Sequence, residues 1–202
     1  MALIVQAGDP VLRRVADPVP PEKLDTAELR ALIDEMVATM RAAPGVGLAA
    51  PQIGVAWQLI VVEDDVDRAS SLSDSEREER GRTPLPLTAI VNPRLEIIGE
   101  QRATFFEGCL SVSGWSALVT RALKVEVKGL TPAGDPLNLR LAGWPARILQ
   151  HEVDHLRGVL YVDRMLSRSF AKTELAVELW SEKPTTEVAA SLGINLREIQ
   201  TT

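Results

Sequence analysis

Only two histidines occur in this chain, and both fall in Gln150-His151-Glu152-Val153-Asp154-His155. Four residues apart, they stand one turn apart on one face if the segment is helical. Trp144, Ile148, Val153 and Leu156 recur at the helical period and Gly158 stops the run, so the pattern predicts a helix. Positions 144, 148, 151 and 155 share its apolar stripe, and the fold must therefore turn both imidazoles inward. A single histidine on such a stripe is ordinarily a satisfied core residue. Two of them each need a polar partner, or one metal ion between them, with Glu152 beside it to work on a bound water. Both readings stay open on this segment alone, because it lacks a third ligand.

Around such a helix, 202 residues suffice for one domain with its own core. Hydrophobic residues make up 46% and charged ones 25%, as in ordinary globular proteins. The net charge of −6 argues against DNA, or a nucleic-acid groove of any kind, as the main partner. One cysteine rules out an internal disulfide, so nothing suggests secretion. Residues 1–15 have no long apolar core and carry Asp9-Pro10 early, which fits neither a signal peptide nor a transmembrane span. Acidic residues within the first 30 disfavour a transit peptide, and the cytoplasm, with no membrane contact, is the expectation.

Residues 2–20 read as an extended arm with turns at Gly8-Asp9-Pro10 and Asp17-Pro18. A core-facing helix follows: Asp25 is placed to cap it, with Glu28 three residues on, and Leu29, Leu32, Ile33, Met36, Val37 and Met40 form its stripe until Pro44-Gly45. The next run, Gly45-Val46-Gly47-Leu48-Ala49-Ala50-Pro51-Gln52-Ile53-Gly54, surrounds one amide with small residues. It lacks the Lys-Ser/Thr ending of a phosphate loop, and reads equally as a tight turn or as a binding segment. Strands are expected at 57–62, 87–91, 95–98, 103–106, 118–119, 123–127, 137–141 and 159–161, with a turn at Pro93. Polar residues 63–86 read as a surface insertion, with 73–80 a short helix or loop. A helix over 169–181 and a weaker amphipathic piece through Val188, Leu192, Ile194 and Leu196 close the chain as a helical extension, 169–202, with the end frayed.

Between the strands lies Phe106-Glu107-Gly108-Cys109-Leu110-Ser111. A lone cysteine is usually a small hydrophobe. Here it sits in a Gly-containing bend, in a chain whose two histidines need a third partner. Thiolate suits zinc or iron, and one Cys with two His leaves one coordination position open, as catalytic sites do.

Taken together, Gly45 to Gln52, Glu107 to Ser111 and Gln150 to His155 resemble the three signature motifs of the peptide deformylases, in that family's order and at compatible separations. The likeness runs from about residue 8 to residue 170. Phe105-Phe106, the run from Gly143 to Gln150 and the insertion look most like the organellar-type branch. That branch carries a targeting leader not seen here, so a bacterial enzyme of similar lineage is expected. Ser113 stands where the family has proline or an acidic residue, and Ser116 where it often has arginine, which bears on substrate preference past the first residue.

The resemblance implies an α+β fold, with short, mostly antiparallel strands around a central metal-bearing helix and a helix at each end. It implies one catalytic domain over residues 1–202 that removes the formyl group from N-formylmethionine of newly made chains and releases formate. Cys109, His151 and His155 would hold one divalent ion, Fe(II) in the cell and Zn(II) or Ni(II) in purified protein. Metal-bound water would attack, with Glu152 as general base and then acid, and Gln52 and the Leu110 N–H would meet the oxyanion. Gly47 would leave room for backbone pairing with the substrate. Val46, Phe105, Trp144 and Ile148 match the family's methionine-pocket positions, whereas Arg147, which falls among them, is an odd lining residue and is left out. Glu107 would pair with a nearby arginine or orient the metal site from behind its ligands. Nascent chains are the expected partners, with a transient ribosome contact allowed. Two rivals remain: a zinc endopeptidase taking Glu174 or Glu178 as third ligand, and a nascent-chain binder without turnover.

Overall fold

The computed structural model describes residues 1–43, 45–65 and 78–196. Its first helix, α1 (Ala27–Ala42), is capped by Thr26, whose hydroxyl accepts the Leu29 N–H at 3.2 Å. This corrects the cap expected at Asp25. A cap residue needs extended backbone, which Thr26 has, while Asp25 closes the preceding turn in the left-handed region (φ 56°) and pairs with Arg30. The chain then forms β1 (Gly47–Ala49), β2 (Leu59–Asp64), β3 (Leu85–Ile97), β4 (Arg102–Cys109), β5 (Val112–Ala122), β6 (Lys124–Leu130) and β7 (Pro136–Ala142). A central helix, α2 (Gly143–Leu156), comes next, followed by β8 (Ala171–Lys172), α3 (Thr173–Trp180) and α4 (Thr185–Ser191).

Every strand pairing is antiparallel. Five strands form one sheet in the order β1-β2-β3-β6-β7, and three form a second in the order β4-β5-β8. Alternation along β2 explains the two-sided fold. Leu59 and Val61 pack with Leu29, Met36 and Met40 of α1, while Ile60 and Val62 pack with Ala146, Leu149 and Val153 of α2. A strand covered on both faces must be apolar throughout, and Leu59 to Val62 are fully buried. The β4–β5 hairpin meets α2 through Glu107 and Arg121, so α2 fills the space between the two sheets.

That position explains the helix's ends. At its start the Trp144 N–H reaches the Gly81 carbonyl at 3.2 Å, and Gly143 (φ 64°) lies so close that a Cβ would stand 2.3 Å from that oxygen. At its end Gly158 (φ 72°) takes the left-handed turn against Arg13, as the sequence predicts.

Several boundaries differ from expectation. The strands at 87–91 and 95–98 are one, β3, and Pro93 sits where the pairing with β6 shifts between Val91 and Arg94. A proline has no N–H to give the ladder and is tolerated at such a bulge. Beside it Asn92 (φ 51°) bonds both the N–H and the carbonyl of Val19. Residues 103–106 and 118–119 extend into the long β4–β5 hairpin. No strand forms at 159–161; Tyr161–Asp163 is a 3-10 turn whose Asp163 accepts the Leu160 N–H. Helix α3 starts at 173, not 169, because Ala171 and Lys172 pair with Ser116 and Trp115 as β8. Of the stretch 63–86 expected as a surface insertion, Glu63 and Asp64 finish β2, Leu85 and Pro86 begin β3, and Arg82 forks onto the buried Asp64 at 2.7 and 2.8 Å. The helix end at Pro44, most of the charged stretch 73–80 and the fraying terminus lie outside the described residues. Among those described, no helix is long and apolar enough to cross a membrane.

Candidate metal centre

Three ligand atoms converge between α2 and the turn of the β4–β5 hairpin. Those of Cys109, His151 and His155 all lie within 4.8 Å of one another, and the Cys109 sulfur is 3.3 Å from His155 Nε2. The pairing shifts at Gly108 and Cys109, and this irregularity accompanies the bend where the cysteine sits. Among the described residues this is the only such cluster. Glu174 and Glu178 are exposed on α3 and take no part in it, which removes the third ligand an ordinary zinc endopeptidase would need.

The His151 tautomer follows from its neighbour. Its Nδ1 lies 3.0 Å from Glu107 Oε2, so the ring donates there and its Nε2 faces the cluster. Glu107 is buried and heavily bonded. It accepts a fork from Arg121 (both 2.9 Å) and another bond from Arg147 (2.6 Å). Burial alone would raise its pKa, but the Arg121 charge and the His151 bond hold it well below the carboxylate range. Arg121 also pairs with Asp154, which in turn takes a fork from Arg164 at 2.6 and 2.7 Å. Glu107 is therefore bonded both to arginine and to the His151 ring.

Glu152 presents the opposite case. It is buried, its Oε2 has no hydrogen-bond partner among the described residues, and burial lifts its pKa to about 7. Gly47 makes room for it: a Cβ at Gly47 would lie 2.2 Å from Glu152 Oε1. Although burial pulls the pKa of His151 down, its bonds to Cys109 and Glu107 raise it well above the ordinary value, so the groups around it favour positive charge. For His155, burial and the His151 charge push the pKa well down, leaving a neutral imidazole. A sulfur, two imidazoles, surroundings that favour a cation and an orphaned carboxylate oxygen form a donor set that fits a divalent metal and a water.

Gln52 is held from both ends. Its Oε1 accepts the Ala49 N–H at 2.8 Å, which turns Nε2 toward Cys109 Sγ (3.5 Å) and Ser111 Oγ (3.3 Å). The segment read equally as a tight turn or a binding segment forms a 3-10 turn, Ala50–Ile53, that aims an amide at the cluster.

A cleft of about 610 Å³ opens over these groups, and Val46, Gly47, Gln52, Leu110, Trp144 and Ile148 are among the residues that line it. Phe105 is not. It is packed edge-on to Trp144 and under the Arg147 guanidinium, behind two residues that do line the cleft, and borders the adjoining groove. Arg147, set aside from the sequence, does line the cleft, with its charge held by Glu107 and the Val119 and Ala103 carbonyls. Ser113 is on the rim, whereas Ser116 pairs with Gly108 and Ala171 and lines an adjoining groove. Sequence reasoning missed Arg121, Asp154 and the arm residues Ile4 and Gln6 at the rim. Asp154 alone left a signal, as a charged residue on a helix otherwise packed inside.

A family model described as polypeptide deformylase matches residues 1–170. Peptide deformylase 1 of Streptomyces coelicolor is 46% identical over 193 residues, which cover 96% of this chain and 86% of that protein. The chloroplastic peptide deformylase 1A of Solanum lycopersicum is 48% identical over 171 residues, or 85% of this chain and 62% of that one. The Met-Ala-Ser-bound crystal structure of a class I type b peptide deformylase from Acinetobacter baumannii superposes with a TM-score of 0.73 at 34% identity, covering 81% of this chain and 98% of the other.

Proposed function

Because this chain belongs to the peptide deformylase family, whose members are hydrolases, we propose that it removes the formyl group from N-formylmethionyl chains and releases formate. The observation that carries this reading is the unpartnered Glu152 oxygen beside the Cys109, His151 and His155 cluster. Cys109 Sγ, His151 Nε2 and His155 Nε2 would hold one divalent ion. Bound there, the ion supplies Lewis acidity, making a water acidic enough to lose its proton near neutral pH. Glu152 takes that proton and later gives it to the departing amine, a task suited to a carboxylate that burial has raised to about 7. Gln52 Nε2, fixed by Ala49, and the Leu110 N–H donate to the carbonyl oxygen as it gains charge.

The substrate enters as a strand between β1 and β4, which are edge strands of the two sheets and contribute Gly47 and Gly108 to the cleft. Val46, Trp144 and Ile148 take the methionine side chain. A structure of a related enzyme with bound Met-Ala-Ser supports a peptide as the ligand. Fe(II) in the cell, with Zn(II) or Ni(II) in purified protein, is consistent with one thiolate and two imidazoles. The working unit is one catalytic domain in a bacterial cytoplasm, acting on nascent chains with transient ribosome contact; relatives include bacterial and organellar forms.

One experiment tests this reading. The protein is purified without oxygen, its metal quantified, and formate release from a formyl-Met peptide followed for wild type and Glu152→Ala. Wild type should turn over, and the variant should keep its metal and lose about 10²–10⁴ in rate. A metal-loaded wild type that releases no formate overturns the reading in favour of a nascent-chain binder. Cys109→Ala should lose the metal, as a protease with a carboxylate ligand would not.

A further inference from the structure

The two groups assigned to the oxyanion come from segments far apart in sequence, and both are tied to the same short piece of N-terminal arm. The Val5 N–H donates to the Gln52 carbonyl at 2.9 Å. Two residues on, the Ala7 N–H donates to the Ser111 carbonyl at 2.7 Å. Between them, the Gln6 side chain spans the hairpin turn: its Nε2 donates to the Leu110 carbonyl at 3.0 Å, and its Oε1 accepts the Ser113 N–H at 3.3 Å. The same Nε2 is 3.3 Å from the Ile4 carbonyl, which ties the amide to its own arm. Ile4 and Gln6 also line the cleft.

Each of these bonds fixes a peptide plane next to a catalytic donor. The Leu110 carbonyl belongs to the residue whose N–H is the proposed donor, so pinning that oxygen restrains the residue's rotation. The Gln52 carbonyl anchors the backbone from which its amide projects. An oxyanion site acts through donors already in place before charge develops, so what holds their relative position contributes to rate. Among the described residues, the segments are joined directly, side chain to side chain, by Gln52 Nε2 alone, which reaches Ser111 Oγ at 3.3 Å and Cys109 Sγ at 3.5 Å.

We propose that residues 5–7 are a strap that sets the spacing of the oxyanion donors, with Gln6 the positioning side chain that holds the Leu110–Ser113 turn. This rests on the deformylase reading above. Gln6 is exposed and touches no metal ligand's donor atom, so its loss acts on position alone.

The test compares wild type with Gln6→Ala and Gln6→Met, both metal-loaded. kcat on a formyl-Met peptide should fall about 5–20-fold, a fraction of the roughly 10²–10³-fold lost when an oxyanion donor is removed outright. KM, bound metal and thermal midpoint should stay as in wild type. A tetrahedral peptide phosphonate, which places an anionic oxygen between the donors, should bind both variants more weakly by a similar factor. The unformylated product Met-Ala-Ser should bind all three proteins alike. Unchanged kcat and phosphonate affinity in Gln6→Ala overturns the proposal. So does recovery in Gln6→Met, which keeps the side chain's length and loses its bonds and would show that Gln6 merely fills space. Absence of formate release from wild type would be a failure of the deformylase reading; the phosphonate comparison then still decides for or against the strap.

Discussion

The region between α2 and the β4–β5 hairpin and the region between α2 and β1 each bury one carboxylate, and the two behave in opposite ways. Glu107 meets two guanidinium groups and an imidazole, and stays ionised far below its usual range. Glu152 meets the bare Cα of Gly47, keeps one oxygen without a partner, and is raised to about 7. Burial is the same for both. The number of cations within reach decides the outcome: the paired carboxylate becomes structure, and the unpaired one remains free to exchange a proton.

The largest expected effect comes from breaking the paired side. Glu107→Gln leaves Arg121 and Arg147 buried without the anion they share, and should lower the unfolding free energy by about 3–5 kcal/mol. It should also weaken metal binding about 10–100-fold by freeing His151 to turn. Urea denaturation and a metal titration read the two effects, and an unchanged urea midpoint would mean that Glu107 is not the network's centre.

Acid titration of the metal-stripped protein separates the two carboxylates by sign. Glu107 has a depressed folded pKa, so its contribution is present above about pH 4.5 and is lost as pH falls toward the folded value. The folded pKa of Glu152 is raised, so the folded state holds a proton that the unfolded state releases. The Glu152 contribution should therefore rise by on the order of 3 kcal/mol as pH drops from 7 to 4.5. It is read as the difference between wild type and Glu152→Gln, because the depressed His155 loses stability in the same window. Glu152→Gln should abolish that contribution and leave the loss at lower pH. If the two proteins do not differ across that window, Glu152 does not titrate there.

Filling the open side should cost less. Gly47→Ala puts a methyl where the Glu152 carboxylate lies, and overpacking of this kind costs about 1–3 kcal/mol. Formate release should fall about 10–100-fold, because the carboxylate must move. Retained rate with retained metal would show that Glu152 works from a different position. The smallest effect belongs to the network's outer end: Arg164 is 44% exposed, and Arg164→Ala should cost about 1 kcal/mol or less by thermal melting.

This contrast also marks what was readable before the fold was known. Cys109, His151, Glu152 and His155 were legible because their chemistry is rare in the chain and one turn of helix joins three of them. The buried α1 stripe and the apolar run of β2 were legible because periodicity is local. Arg121 and Arg147 were not, since each becomes a partner only when the strand carrying Glu107, 14 and 40 residues away, is laid beside it. Phe105 stands behind Trp144 and not at the cleft wall, a depth set by how β4 packs on α2, which the motif does not contain. Pro93 looked like a turn because a proline announces an interrupted ladder, and whether the strand ends or bulges depends on the neighbour across it. Gln6 carried no signal, because its partners are 104 and 107 residues away.

The placement of α2 between two sheets has a consequence during synthesis. A chain made from its N-terminus completes β1 to β7 before residue 143 leaves the ribosome, so Ile60, Val62, Val125 and Val127 have no helix to cover them while five strands wait in place. The helix that follows these strands is thus the one that closes the apolar interior between the sheets. It is also the one that brings both histidines to the cysteine. Burial and activity therefore appear in the same late folding step, and a nascent molecule released early would be sticky and inert together.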